Sequence, residues 1–250
     1  MNSISVRALL IRGMLAGLVA GVAAFLVAYL LGESKVDAAI AIEEAANAGH
    51  DHAEMAPVSR ALQSTAGLGT GVLLYSVALG GIAALVFCFA LGRIGRFTPR
   101  VTSLLVAGGL FVTVTLVPFL KYPANPPAVG DPDTVVKRTT LYVLMIALSV
   151  LLAAAATVLG RRLAPSRGNW NASVIAVAAF VVAVGVAYAF LPSIYEVPAD
   201  FPAGLIWQFR LTSLAIQATL WAVFGLGFGV LAERLLVPSA THKEAVQPTS

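Results

Sequence analysis

The sequence predicts an all-α integral membrane protein, and three observations carry that expectation. Six apolar blocks, at residues 8–31, 67–91, 101–120, 139–160, 170–191 and 211–232, fill most of the chain, and none has an ionisable side chain near its middle. Each holds about 20 residues or more, enough as a helix to cross a hydrocarbon core of ~30 Å. None alternates polar and apolar residues as barrel strands do, and in lipid only helices or closed barrels satisfy their own backbone. The third observation is charge. If the N-terminus, the second and fourth connections and the C-terminus share one side, that side has ten basic residues against two acidic, a net +8. The other side has six against ten, a net −4. Lysine and arginine in short loops mark the cytoplasm. Six transmembrane helices arranged as three hairpins, with both termini cytoplasmic, follow.

The chain is 59% hydrophobic and only 11% charged, so its basic balance belongs to the membrane faces and implies no nucleic acid. One membrane domain is expected over residues 1–235, followed by a disordered cytoplasmic tail at 236–250 that contains His242. The first block follows Arg7 and Arg12 as a secretory signal would. It is long for a signal's apolar region and reads as a retained span. Its Gly13, Gly17 and Gly21 fall on nearly one helix face, as do Gly67 with Gly71 and Gly225 with Gly229. Small residues at that spacing let helices approach closely.

Residues 32–66 form the longest outer connection. Residues 36–48 read as a short, weakly amphipathic helix lying on the outer surface, with Asp37, Glu43 and Glu44 on its polar side. It leads into His50-Asp51-His52-Ala53-Glu54-Met55, which holds two of the three histidines in the chain. Neutral imidazoles two residues apart, with carboxylates beside them, suit a divalent transition metal. His50, Asp51, His52 and Glu54 are the candidate metal ligands, and an ordinary solvated loop is the competing reading.

The second block contains Cys88, which is alone and fits packing only. Short basic turns at 92–100, with Pro99, and 161–169, with Pro165, return the chain on the cytoplasmic side. Two outer loops share a pattern, Pro123-Ala124-Asn125-Pro126-Pro127-Ala128 and Pro198-Ala199-Asp200-Phe201-Pro202-Ala203. Each follows a proline and a tyrosine and precedes an arginine, Arg138 or Arg210; Arg60 is the counterpart in the first hairpin. Internal duplication and simple stiffening by proline both account for the match. Trp170, Trp207, Tyr122 and Tyr195 fall near expected interfaces and read as anchors.

The chain has no Gly-x-x-x-x-Gly-Lys-Ser/Thr phosphate loop and no nucleophile–base pair or paired carboxylates at membrane depth. No enzymatic activity is expected. Polar groups inside the blocks are mild: Ser76, Thr113, Thr115, Ser149, Gln217 and Thr219. They serve helix–helix hydrogen bonding or line a permeation route.

Several stretches together resemble one family. They are the glycine-rich first helix, Glu43-Glu44-Ala45-Ala46 leading to His50-Asp51-His52, Pro118-Phe119-Leu120-Lys121-Tyr122-Pro123-Ala124-Asn125-Pro126-Pro127, and Val197-Pro198-Ala199-Asp200-Phe201-Pro202. From about Val6 to Leu235 the chain is similar to the CbtA family, probable cobalt transporter subunits of bacteria. The resemblance implies a multi-pass protein of the bacterial inner membrane that takes up cobalt, with nickel as the alternative metal. No permanently bound cofactor is implied. The implied partners are membrane lipid and a small histidine-containing single-span subunit, CbtB-like, with homo-oligomerisation also allowed. The family is described with five spans, whereas the charge partition here favours six. A non-transporting membrane scaffold or assembly subunit is the rival reading, motivated by the charge-free spans and small-residue faces.

Overall fold

A computed structural model describes residues 3–47, 59–127, 129–130 and 132–237. The four candidate metal ligands His50, Asp51, His52 and Glu54, and His242 with the tail beyond residue 237, lie outside the described residues. Among the described residues the chain is helical and contains no strand. The elements are α1 (Ser3–Val27), α2 (Glu33–Asn47), α3 (Arg60–Leu62), α4 (Leu68–Ala90), α5 (Pro99–Leu110), α6 (Val117–Lys121), α7 (Val135–Phe190) and α8 (Ala203–Leu236). Three π turns, at Ala28–Gly32, Gln63–Gly67 and Phe111–Leu116, join α1 to α2, α3 to α4 and α5 to α6 without breaking the helical path.

Five of these helical runs are long and apolar enough to cross a membrane: Ser5–Ala45, Arg60–Ala90, Pro99–Lys121, Val135–Phe190 and Ala203–Leu236. The first corrects an expectation. The surface helix expected at 36–48 is not separate as far as it is described, to residue 47, because α2 continues α1 through the π turn. Nothing in residues 28–33 stops a helix, and the alanines and glutamates that follow are good helix formers. The apolar side of α2 is also buried in protein: Ala39 is fully enclosed with Val129, Phe201 and Ile206.

The chain divides into two compact units, one of Met1–Ala24, Thr70–Gly109 and Thr219–Ser250, the other of Phe25–Gly69 and Leu110–Ala218. In the first unit α1 and α4 run antiparallel with their backbones touching. A Cβ on Gly13 would lie 2.6 Å from the Gly80 carbonyl oxygen, and one on Gly17 would overlap the Ser76 carbonyl. One on Gly21 would lie 2.8 Å from the Ser76 Cβ. The glycine face of α1 thus meets a second small-residue face on α4, Ser76, Gly80 and Ala84. α5 and α8 are antiparallel as well. Gly225 sits against Ala107 and Leu104, and Gly229 against Arg100 and Ser103, so numbering falls on one helix as it rises on the other. Ser103 Oγ donates to the Gly225 carbonyl at 2.8 Å, and Arg100 pairs with Glu233. Phe87 and Phe228 complete the core, edge to face at 5.1 Å.

In the second unit α7 is too long for one straight helix in any bilayer, since its 56 residues would extend about 84 Å. It folds back on itself. Pro165 lies inside it, and Gly168 adopts φ 75°, ψ 158°, a conformation outside the helical range that glycine tolerates best. A Cβ on Gly160 would lie 3.2 Å from that of Ala176, whereas sixteen residues of straight helix would separate them by about 24 Å. The two arms pack on α6 through Met145 and Val184, which form a core with Val117 and Tyr122.

Candidate functional site

One end of the second unit holds a pocket of about 920 Å³. Its walls come from the proline-rich loop at 123–127, Phe119 of α6, Tyr142 and Arg138 of α7, Phe209 of α8 and Glu43 of α2. Proline fixes the loop backbone and cannot extend α6, so the segment turns and presents its carbonyl groups.

Hydrogen bonds fasten this loop from several helices. Arg210 donates from Nε to the Ala124 carbonyl at 3.2 Å and from Nη2 to Asn125 Oδ1 at 2.9 Å. Arg138 pairs with Glu196, whose carboxylate also accepts from Thr134 Oγ1. The exchange is reciprocal. The arginine following the first proline-rich pattern reaches the segment beside the second, and the arginine following the second reaches the first. The side chain of Glu196 is only 3% exposed, which makes this the most enclosed ion pair among the described residues. Gly130, at φ 143°, leaves room for it, since a Cβ there would lie 2.9 Å from Arg138 Nη1.

Two further groups tie α6 to the end of α7. Lys121 Nζ donates to the Tyr188 carbonyl at 2.9 Å and to Ser193 Oγ at 3.1 Å, while Tyr188 donates its hydroxyl to the Val117 carbonyl. Tyr122 donates to the Pro192 carbonyl at 2.9 Å. Tyr122 is therefore a buried cross-link and not an interfacial anchor. Burial raises its pKa above the ordinary phenol value, which keeps the hydroxyl protonated as a donor. Trp170, Trp207 and Tyr195 are 79%, 63% and 93% exposed, as anchors must be.

On α2 and α3, Arg60 pairs with Glu33 and, at 2.9 Å, with Asp37. Four cations, Arg60, Lys121, Arg138 and Arg210, are thus held by partners. Glu43 stays exposed at the pocket wall, seven residues before His50 in sequence. Among the described residues no group of three His, Cys, Asp or Glu side chains is placed to hold a metal. The four expected ligands all lie outside the described residues.

The charge pattern of the sequence pointed to Arg60, Arg138 and Arg210 but did not reveal their partners. Lys121 and Glu196 entered the sequence reading only through the charge count and the proline-rich stretch, and Tyr188 not at all. Their only signal is position: polar groups at the outer ends of apolar blocks, where lipid offers no alternative partner.

No curated protein and no solved structure matches this chain. A family model does. Residues 6–233 match the model for CbtA, described as probable cobalt transporter subunit, and on that match, over an all-helical frame with five long apolar helices, the chain belongs to the CbtA family.

Proposed function

We propose that this chain is the permease component of a cobalt uptake system in the bacterial inner membrane, crossing it six times with both termini in the cytoplasm. The observation that carries the reading is the antiparallel packing of α5 and α8. If α5 leaves the cytoplasm, α8 re-enters it, so α7 begins and ends on the outer side. Its fold at Gly168 gives arms of about 50 and 33 Å, each long enough to cross a core of ~30 Å. This geometry supports six crossings, and the +8 and −4 division of charge supports the same orientation.

In that orientation residues 48–58 face outside, on the side of the pocket and of Glu43. His50 and His52 supply imidazole nitrogens, and Asp51 and Glu54 supply carboxylates, to capture divalent cobalt, or nickel, from dilute solution. The metal then passes between the hairpins. The word subunit in the family description implies a partner, and a small single-span chain carrying histidines, CbtB-like, is the proposed one.

The test is accumulation of radiolabelled cobalt at limiting metal by cells expressing the chain with its partner. His50→Ala with His52→Ala is expected to raise the cobalt concentration needed for half-maximal uptake by about tenfold or more. Unchanged uptake at limiting metal would remove the capture role. Cobalt flux into liposomes holding the purified subunits separates transport from a scaffold, which would give none.

A further inference from the structure

Two features of the second unit lie, by helix rise, about 10 Å along their helices from Arg210 and Lys121. Gln217 follows Arg210 by seven residues, two turns along α8, and so lies on nearly the same face about 10 Å deeper. Arg210 itself holds the pocket wall through Ala124 and Asn125. The amide oxygen of Gln217 is sealed from the surface and has no hydrogen-bond partner. No other side-chain acceptor among the described residues is buried in that state; the other sealed, unpartnered polar atom is a donor, Arg12 Nη1.

The second feature is the π turn at Phe111–Leu116. Buried Thr115 and Thr113 lie six and eight residues before Lys121, the last residue of α6, about 9 and 12 Å deeper. Val117 N–H donates to the Val112 carbonyl, five residues back. The next donor in that register is residue 118, a proline, which has no N–H. The Thr113 carbonyl is thereby released from the helix, and Ser149 Oγ, fully buried, donates to it instead. Helix rise thus puts at similar depth an unsatisfied amide oxygen, two threonine hydroxyls, a serine hydroxyl and a backbone carbonyl freed from its helix. None of them is charged.

A buried acceptor left without a donor destabilises the folded chain, and an apolar side chain of the same size would pack there without that cost. An oxygen in this state is satisfied by a donor or by a cation. We propose that Gln217 Oε1 is a mid-membrane ligand for the divalent metal in transit, within a neutral oxygen belt shared with Thr113, Thr115 and Ser149. Neutral oxygens replace part of the hydration shell and still release the ion, which a carboxylate at that depth would retain. This rests on the transport reading. It assigns the belt to passage and the outer histidines to capture.

The experiment separates the two. Equilibrium dialysis with radiolabelled cobalt is run on the purified full-length protein carrying His50→Ala, Asp51→Asn, His52→Ala, Glu54→Gln and His242→Ala, which removes the four outer ligands and the remaining histidine. Weak binding is expected to persist, to fall about tenfold with Gln217→Leu or the longer Gln217→Met, and to tighten about tenfold with Gln217→Glu. In cells with intact histidines, Gln217→Leu is expected to lower the maximal uptake rate and leave the half-saturating concentration unchanged. Gln217→Glu should also lower the rate, by holding the ion. Two folded, monodisperse variants, Leu and Met, guard against a simple packing failure. The proposal is overturned if the histidine-free protein binds no cobalt, or if Gln217→Leu and Gln217→Met bind and transport as the parent does. If the unaltered protein moves no cobalt, the transport reading fails, while the dialysis still decides whether Gln217 holds metal.

Discussion

In the first unit Gly13, Gly17 and Gly21 lie against Ser76, Gly80 and Ala84 with main chains in contact. In the second, helices are held by Tyr188, Lys121, Tyr122, Arg138 and Arg210 through hydrogen bonds that span 58 to 86 residues of sequence. Lipid tails are as apolar as leucine, so burying leucine gives helices no reason to associate; close packing and polar bonds do. The first unit relies mainly on packing and leaves no space where it does so. The second relies on side-chain bonds, which hold helices at a distance, and all three π turns and the pocket belong to it. A rigid region and an open one are thus built from the same composition by different contacts.

The comparison can be broken at its tightest point. Gly17→Leu is expected to cost about 3 kcal/mol or more, because neither backbone can retreat, and fluorescence-detected gel filtration should show loss of the monodisperse peak. A variant that elutes and melts like the parent would show that α1 and α4 are not in backbone contact. In the second unit Glu196→Ala leaves Arg138 without its counter-charge. Because Arg138 is partly exposed, the expected loss is about 2 kcal/mol, read as a lower melting temperature in detergent. Arg138→Ala made on top of it should restore part of that loss if the two act as a pair.

Smaller effects sharpen the contrast. Tyr188→Phe removes one donor to the Val117 carbonyl, and a drop of about 1 kcal/mol with unchanged elution is expected. Gly71→Ala meets nothing within 4 Å, so this glycine, on the same helix as Gly80, should accept the methyl with a gain of up to about 1 kcal/mol. A loss there would mean that another chain covers that face.

Much of this frame could be read in advance because lipid imposes simple rules. The basic turn at 161–169 marked a reversal that helical hydrogen bonding alone conceals, since α7 is assigned as one helix through it. The spacing of Gly13, Gly17, Gly21, Gly225 and Gly229 marked contact faces, but the same spacing at Gly67 and Gly71 did not. A glycine stripe shows that close approach is allowed and says nothing of whether a neighbour arrives. The matching face on α4 was harder to see because serine and alanine are common in any helix. The reach of Arg138 to Glu196 and of Arg210 to Asn125 was illegible for a different reason. Such bonds depend on which loops the fold brings together, and no local pattern encodes that. The metal-binding expectation at His50, Asp51, His52 and Glu54 rests on side-chain chemistry in sequence alone.

The fold at Gly168 also bears on how the protein is made. On the six-crossing reading, the two arms of α7 are joined by Arg161, Arg162 and Arg167 around a single reversal, with no independent loop between them. The insertion machinery would then receive them as one unit during synthesis, and neither arm would settle in the bilayer before the other emerges. A residue that cannot adopt the Gly168 backbone would act during biogenesis, by letting the ribosome deliver a helix that has not turned. The result would be inverted topology and degradation of the C-terminal third, even where the finished fold could tolerate the change.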